Sequence, residues 1–193
     1  MSDSPSDADL VRRARNGDPA AWRQLVRRHT PMIHRLALRT LRNPSDAEDA
    51  TQEVFVKMSR YLDTWDSTRP LPPWLGKMTY HVCLRRLGKV ADAKNDLTAP
   101  DTLDLATSSD LTPEAAIAVR QASDLVTRAV DQLPAQDRFL IDLRYREGQS
   151  DVEVAEATGM NVNTVRTRLF RARQALRKLL SPVLGAHPEE NAR

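Results

Sequence analysis

The chain has 193 residues, 40% hydrophobic and 28% charged, with a formal net charge of +3; that balance excludes a disordered chain and leaves room for one domain or two small ones. No apolar run approaches the ~20 residues needed to cross a bilayer, so direct membrane insertion is not expected. The opening MSDSPSDADLVRR lacks a secretory pattern and the lone Cys83 has no disulfide partner, which points to a reducing, cytoplasmic setting.

Arg, Ala and Leu dominate, while aromatic residues make up only 5%, so the expected fold is all-α. The run DADLVRRARNG forms a first helix that stops at Gly17. Asp18 caps and Pro19 opens a second helix running toward His29; Thr30-Pro31 repeats that start signal, and Asn43-Pro44 stops the helix that follows. Ser45-Asp46-Ala47-Glu48 fits the S-x-x-E capping box. Ala47, Ala50, Thr51, Val54, Met58 and Leu62 then recur at helical spacing as one buried stripe. A loop containing Trp65-Asp66-Ser67-Thr68-Arg69-Pro70 follows. After Pro72-Pro73 a further helix runs from about Trp74 to Leu87 and ends at Gly88.

Between Ala91 and Thr112 lie five aspartates against the single Lys94, with no sustained periodicity. Residues 90–112 therefore read as a flexible acidic linker. Thr112-Pro113-Glu114 restarts helix, with Ile117, Leu125, Val126, Ala129 and Leu133 as its buried face. Leu133-Pro134 breaks it, and the next helix runs from Pro134 to Glu147 and stops at Gly148. The expected architecture is two small helical domains, residues 1–89 and 113–181, with a tail at 182–193.

Ser150-Asp151-Val152-Glu153 is a second capping box, opening a short helix through Ala157 or Thr158. Gly159 supplies a left-handed turn, and Asn161 caps a helix that runs to about Leu180. A short helix, a glycine turn and a longer helix make a helix-turn-helix over about 150–173. At about 100° per residue, Val165, Leu169, Ala172, Leu176, Leu179 and Leu180 share one side of the long helix. Opposite them lie Asn163, Thr164, Thr167, Phe170, Arg171, Gln174, Arg177 and Lys178, flanked by Arg166 and Arg168. From Asn161 to Ser181 there are six basic residues and no acidic one. Amides, hydroxyls and guanidinium groups are what base edges and phosphates pair with in a major groove. Asn163, Thr164, Thr167 and Arg168 stand at the end that meets bases; Arg171, Arg173, Arg177 and Lys178 suit phosphates. A solvated amphipathic surface helix would look similar, but the short capped helix and glycine turn favour DNA. About four phosphate contacts would give a salt slope near −3.6, so a second, linked contact is expected. The linker can span at most roughly 80 Å, beyond two turns of duplex at ~34 Å each.

The stretch Asp46-Ala47-Glu48-Asp49-Ala50-Thr51-Gln52-Glu53-Val54-Phe55 closely resembles the core-binding helix in region 2 of bacterial sigma factors of the extracytoplasmic-function (ECF) group. Leu133-Pro134 through Leu180, containing EGQSDVEVAEATGMNVNTVRTRLFRARQAL, resembles region 4 of the same group. The resemblance covers about Asp9–Lys89 and Glu114–Leu180 in the family's order. It implies a promoter-recognition subunit whose partners are core RNA polymerase, promoter DNA and an anti-sigma factor, the last sometimes holding such proteins at the inner membrane face. It implies that Asp49, Gln52 and Glu53 face polymerase, although Asp46 and Glu48 are equally explained by helix-dipole complementation. It also implies that Trp65, Arg69, Lys77, Tyr80 and His81 read a single-stranded −10 element, since rings stack on unpaired bases and cations meet phosphates. Asn163, Thr164, Arg166, Thr167, Arg168, Arg171 and Arg173 would read the −35 duplex. The chain departs from the family at Pro70-Leu71-Pro72-Pro73, where an aromatic-Arg-Thr run is common, and at His81, where Asn is common. Trp74 fits a core position better than a reading one, and the acidic linker serves equally as nucleic-acid mimic or solvated spacer.

The competing reading is a dimeric helix-turn-helix regulator that binds a palindrome without polymerase. A metal enzyme built on Asp46, Glu48, Asp49 and Glu53 lacks a completing histidine, and His29, His34, His81 and His187 are dispersed. No catalysis, cofactor, metal or small-molecule substrate is expected. Cys83 reads as a small buried apolar group.

Overall fold

The computed structural model describes residues 5–91 and 113–181, with side chains described for 5–88 and 122–181. The linker and tail expectations, together with Ile117 and His187, fall outside the described side chains. Within those bounds the chain is helical throughout: α1 (Asp7–Arg15), α2 (Pro19–Leu41), α3 (Pro44–Tyr61), α4 (Leu71–Ala91), α5 (Pro113–Asp131), α6 (Ala135–Ile141), α7 (Asp151–Thr158) and α8 (Val162–Leu180). A 3₁₀ turn, Leu62–Thr64, extends α3, and a π-helical turn, Asp142–Arg146, extends α6.

Most punctuation acts as the sequence implies. Ser6 caps α1, and Gly17 turns with φ +82°. The Asp18 carboxylate accepts from the Ala20 and Ala21 amides ahead of Pro19. Two start signals do not hold. Pro31 lies inside α2, which runs unbroken from Pro19 to Leu41. Pro31 itself is exposed, whereas Leu25, His29, Met32, Ile33, Leu36 and Ala37 form a buried stripe that stays in phase across it. Packing on that stripe offsets the lost N–H and ring clash of about 3 kcal/mol. At Asn43-Pro44 the expected stop holds, since α2 ends at Leu41, but the next start lies there too rather than at Ser45. Asn43 caps α3 by accepting from the Asp46 amide, with Pro44 at the first helical position, so the Ser45–Glu48 box does not form. Arg42, the one non-glycine with positive φ (+58°) among the described residues, makes the tight turn between α2 and α3.

Helix α4 begins at Leu71, three residues before the expectation, because both prolines fit a first turn that needs no amide donors. It passes through Gly88, which stays out of the left-handed region. The stripe of α3 is buried as expected. In α5 the buried side is Thr127, Ala129 and Val130 followed by Leu133, while Val126 faces solvent and Leu125 is half-buried.

The N-terminal half is α2, α3 and α4 packed together with α1 laid on α2; the C-terminal half is α5 to α8. One core runs through both, from Leu10, Leu25, Ile33, Val54 and Leu75 to Phe139, Leu140, Leu143, Val154 and Val165. Helix α2 meets α6, and α4 lies along α7. Across this join Arg138, itself buried, donates to the carbonyls of Arg39 (2.9 Å) and Thr40 (3.1 Å) and, in its own half, Leu133 (2.7 Å). The Arg39 and Thr40 carbonyls are at the end of α2, and Arg138 Nη1 also donates to the Asp131 carbonyl at the end of α5 (3.3 Å), so one guanidinium serves two helix termini.

Candidate nucleic-acid interface

Helix α8 is positioned by its neighbours. The Ser150–Glu153 capping box is formed in both directions, Gly159 turns with φ +70°, and Asn161 accepts from the Asn163 amide. Val165, Leu169 and Ala172 are buried and fix the helix's roll. Asn163, Thr164, Arg166, Thr167, Phe170, Arg171, Arg173, Gln174, Arg177 and Lys178 are exposed, so the cationic face is free. Its amino end adds partial positive charge from the helix dipole.

Three of its guanidinium groups are held in place. Arg166 Nε donates to Asp151 Oδ2 (3.3 Å), Arg168 Nε to Asp137 Oδ1 (2.7 Å), and Arg173 Nη1 to the Tyr145 hydroxyl (2.6 Å). Asp151 also accepts from Arg144 Nε (3.0 Å). Sequence reasoning missed Asp137, Tyr145 and Asp151. Both aspartates sit in first turns, where dipole complementation explains them without any partner. Phe170 is 54% exposed among these cations; an apolar group there suits a thymine methyl.

A second group surrounds the loop between α3 and α4. Arg15, also missed, donates through Nη2 to the carbonyls of Leu62 (2.6 Å) and Trp65 (2.7 Å), pinning the start of the loop. Asp66 Oδ1 accepts from the Thr68 amide and hydroxyl, bonds that hold its carboxyl below the usual range. Arg69, Lys77 and His81 are exposed. Partial burial first, then Lys77 and Lys57, hold the His81 imidazole below its ordinary pKa, so the ring is neutral at pH 7. Trp65 and Tyr80 differ: they are 5% and 4% exposed. Trp65 belongs to the core, and Tyr80 packs on Phe139 of α6 with ring centroids 5.1 Å apart. Beside them is a cavity of about 500 Å³ lined by Trp65, Arg69, half-buried Trp74 and Lys77, and closed by Glu153 and Glu156 of α7.

The third group lies on α3. The Asp49 side chain is 60% exposed and 3.7 Å from Arg86, and Gln52 is exposed. Glu53 is half-buried and paired with Arg85, with Arg86 (3.4 Å) and with Lys57 (3.7 Å). Burial raises its carboxyl, but Arg85, Lys57 and Arg86 outweigh that and hold it low. Asp49 and Glu53 thus share the cations of α4 beside exposed Gln52. Among the described residues no group of His, Cys, Asp and Glu could hold a metal ion, and no helix is long and apolar enough to cross a membrane.

Known proteins match the chain along its length. Residues 25–92 fit the family described as Sigma-70 region 2, and residues 123–176 that described as Sigma-70, region 4. The RNA polymerase sigma-H factor of Pseudomonas aeruginosa is 31% identical over 192 residues, covering 95% of this chain and 98% of that protein. The ECF RNA polymerase sigma-E factor of Escherichia coli is 30% identical over 193 residues, covering 95% and 99%. Among solved structures, CnrH in complex with the cytosolic domain of CnrY superposes with a TM-score of 0.62 at 25% identity, over 90% of this chain and 96% of that one.

Proposed function

Because this chain belongs to the ECF group of RNA polymerase sigma factors, and so directs promoter-specific transcription initiation, we propose which of its surfaces do the work. The exposed face of α8 reads the −35 duplex: Asn163, Thr164, Thr167 and Arg168 reach base edges, and Arg166, Arg171 and Arg173 meet phosphates. Asp49, Gln52 and Glu53 face core polymerase. Arg69, Lys77 and His81 take the −10 strand, and Trp65 and Tyr80 join them once uncovered. Residues 1–89 act as the region 2 domain and 113–181 as the region 4 domain, tied by 90–112. The protein works by placement, catalyses nothing itself and resides in the cytoplasm. An anti-sigma factor is proposed as a further partner; CnrH, similar in fold and in sequence, was solved with the cytosolic domain of CnrY.

The observation that carries this reading is the capped α8, apolar where it packs and cationic where it is free. A gel shift on promoter duplex, with and without core polymerase, tests it. The shifted species should need core. A dimeric regulator would shift a palindrome without core, and that result would remove the proposal.

A further inference from the structure

One carboxylate reaches the cationic face of the helix-turn-helix from outside α8. No acidic residue lies between Asn161 and Ser181; Asp151, in the first turn of α7, supplies the charge instead. Its two oxygens are divided between two guanidinium groups. Oδ1 accepts from Arg144 Nε at 3.0 Å and Oδ2 from Arg166 Nε at 3.3 Å. Arg144 belongs to the π-helical turn after α6 and Arg166 to α8, so one side chain ties three elements together. Both bonds use Nε. Among the described residues the two terminal nitrogens of Arg166 have no partner, and that pair of donors is what a phosphate takes. Asp137 holds Arg168 in the same manner, Oδ1 to Nε at 2.7 Å, so the device occurs twice on α8.

Neither stability nor helix polarity accounts for the arrangement at Asp151. The Arg166 and Asp151 side chains are 61% and 29% exposed, and ion pairs that water reaches add little to stability. An acid in a first turn complements the helix dipole, but Glu153 already closes the capping box there. Dipole complementation also needs no guanidinium from two other elements. We infer that Asp151 is a specificity-determining, positioning residue of the −35 surface. It holds Arg166 in one register and withholds part of the charge that DNA of any sequence would attract. The inference rests on the assignment of Arg166 to a −35 phosphate. Phosphate contacts carry no sequence information, yet they fix where a protein sits on the duplex. An untethered guanidinium meets phosphates in many registers and strengthens binding everywhere. Tethered through Nε, it meets one only where α8 is correctly seated; elsewhere the Asp151 charge repels the backbone. Asp151 thus weakens loose binding more than seated binding.

Fluorescence anisotropy of the free full chain on a fluorescein-labelled duplex of mixed sequence tests this. Asp151→Asn keeps a first-turn hydrogen-bond acceptor and removes the charge. It should bind about fivefold more tightly at low salt, with a log-log salt slope steeper by about 0.9, the increment of one phosphate contact. Asp151→Glu, which keeps the charge, should bind as wild type does. The gain should vanish when Arg144 and Arg166 are also changed to Ala. Glu48→Gln removes an equal charge from an exposed position in the other half and should give no gain. In holoenzyme on pooled genomic fragments, Asp151→Asn should raise the share of transcripts that start without a common −35 sequence. A residue that only supports α7 would instead lower all output evenly, which overturns the inference. Unchanged duplex affinity in Asp151→Asn also overturns it, as does an equal gain from Glu48→Gln or a gain that survives loss of both arginines. Arg166→Ala separates this from the assignment beneath it: if that variant keeps wild-type duplex affinity and transcription, Arg166 meets no phosphate and the assignment itself fails.

Discussion

Arg168 shows how a single side chain is prepared for a partner. Its 2.7 Å bond to Asp137 fixes the guanidinium's direction, and in the proposed role a base edge would have to displace that carboxylate. Arg168→Ala or Thr164→Ala should lower promoter-specific run-off transcription by about tenfold, given ~1–3 kcal/mol for a good base contact, while core binding survives. Unchanged promoter choice would count against the assignment. Cys83 is fully buried, and burial, aided by Glu53 and opposed by Arg86, pushes its thiol up to about 12. Iodoacetamide at pH 8 should therefore label Cys83 only after urea unfolding; labelling of the native chain would show that the α4 core opens readily. Asp142 is the other displaced group. Burial, opposed by Arg39 and Arg146, lifts its carboxyl to about 6 from an ordinary 3.8. A carboxyl raised on folding binds protons more tightly in the native chain, so its contribution to stability grows as pH falls from about 6 to 4 and is lost as pH rises back through 6. Urea melts at pH 5 and pH 7 should show that gain in wild type and lose it in Asp142→Asn. A gain kept by the variant would assign it to another group.

At the scale of elements, local chemistry determines helix ends where no other half intervenes. The caps at Asp18, Ser150 and Asn161 and the turn at Gly159 were all legible, because each needs only residues a few positions apart. Ser150→Ala should cost about 1 kcal/mol, read as a lower thermal midpoint; no change would mean that tertiary packing alone fixes α7. Pro31 was misread because a local breaker competes with a stripe of contacts that the α2 sequence does not announce. The box at Ser45 was misread because Asn43, besides marking the end of α2, itself caps α3. Of the site, the α8 face was legible from its wheel. The burial of Trp65 and Tyr80 was not; Tyr80 packs on Phe139 of α6, far away in sequence, and Trp65 joins a core drawn from both halves. The partners Asp137, Tyr145 and Asp151 were hidden for the same reason.

For the whole molecule the question is how two modest binding surfaces act as one. If α8 makes about four phosphate contacts, as proposed, the log-log salt slope is near −3.6, too few for a lone domain to select promoters. Joining the second half through 90–112 makes the other contact intramolecular, a gain of about 10²–10⁴ where the geometry permits both. In the proposed assignment, core polymerase bound at Asp49, Gln52 and Glu53 would fix that geometry. The most direct measurement is run-off transcription with purified core polymerase on pooled genomic fragments. The account predicts transcripts that appear only when the chain is added, starting downstream of one shared pair of −10 and −35 sequences. Transcription indifferent to the chain, or starts with no shared upstream pair, would contradict it.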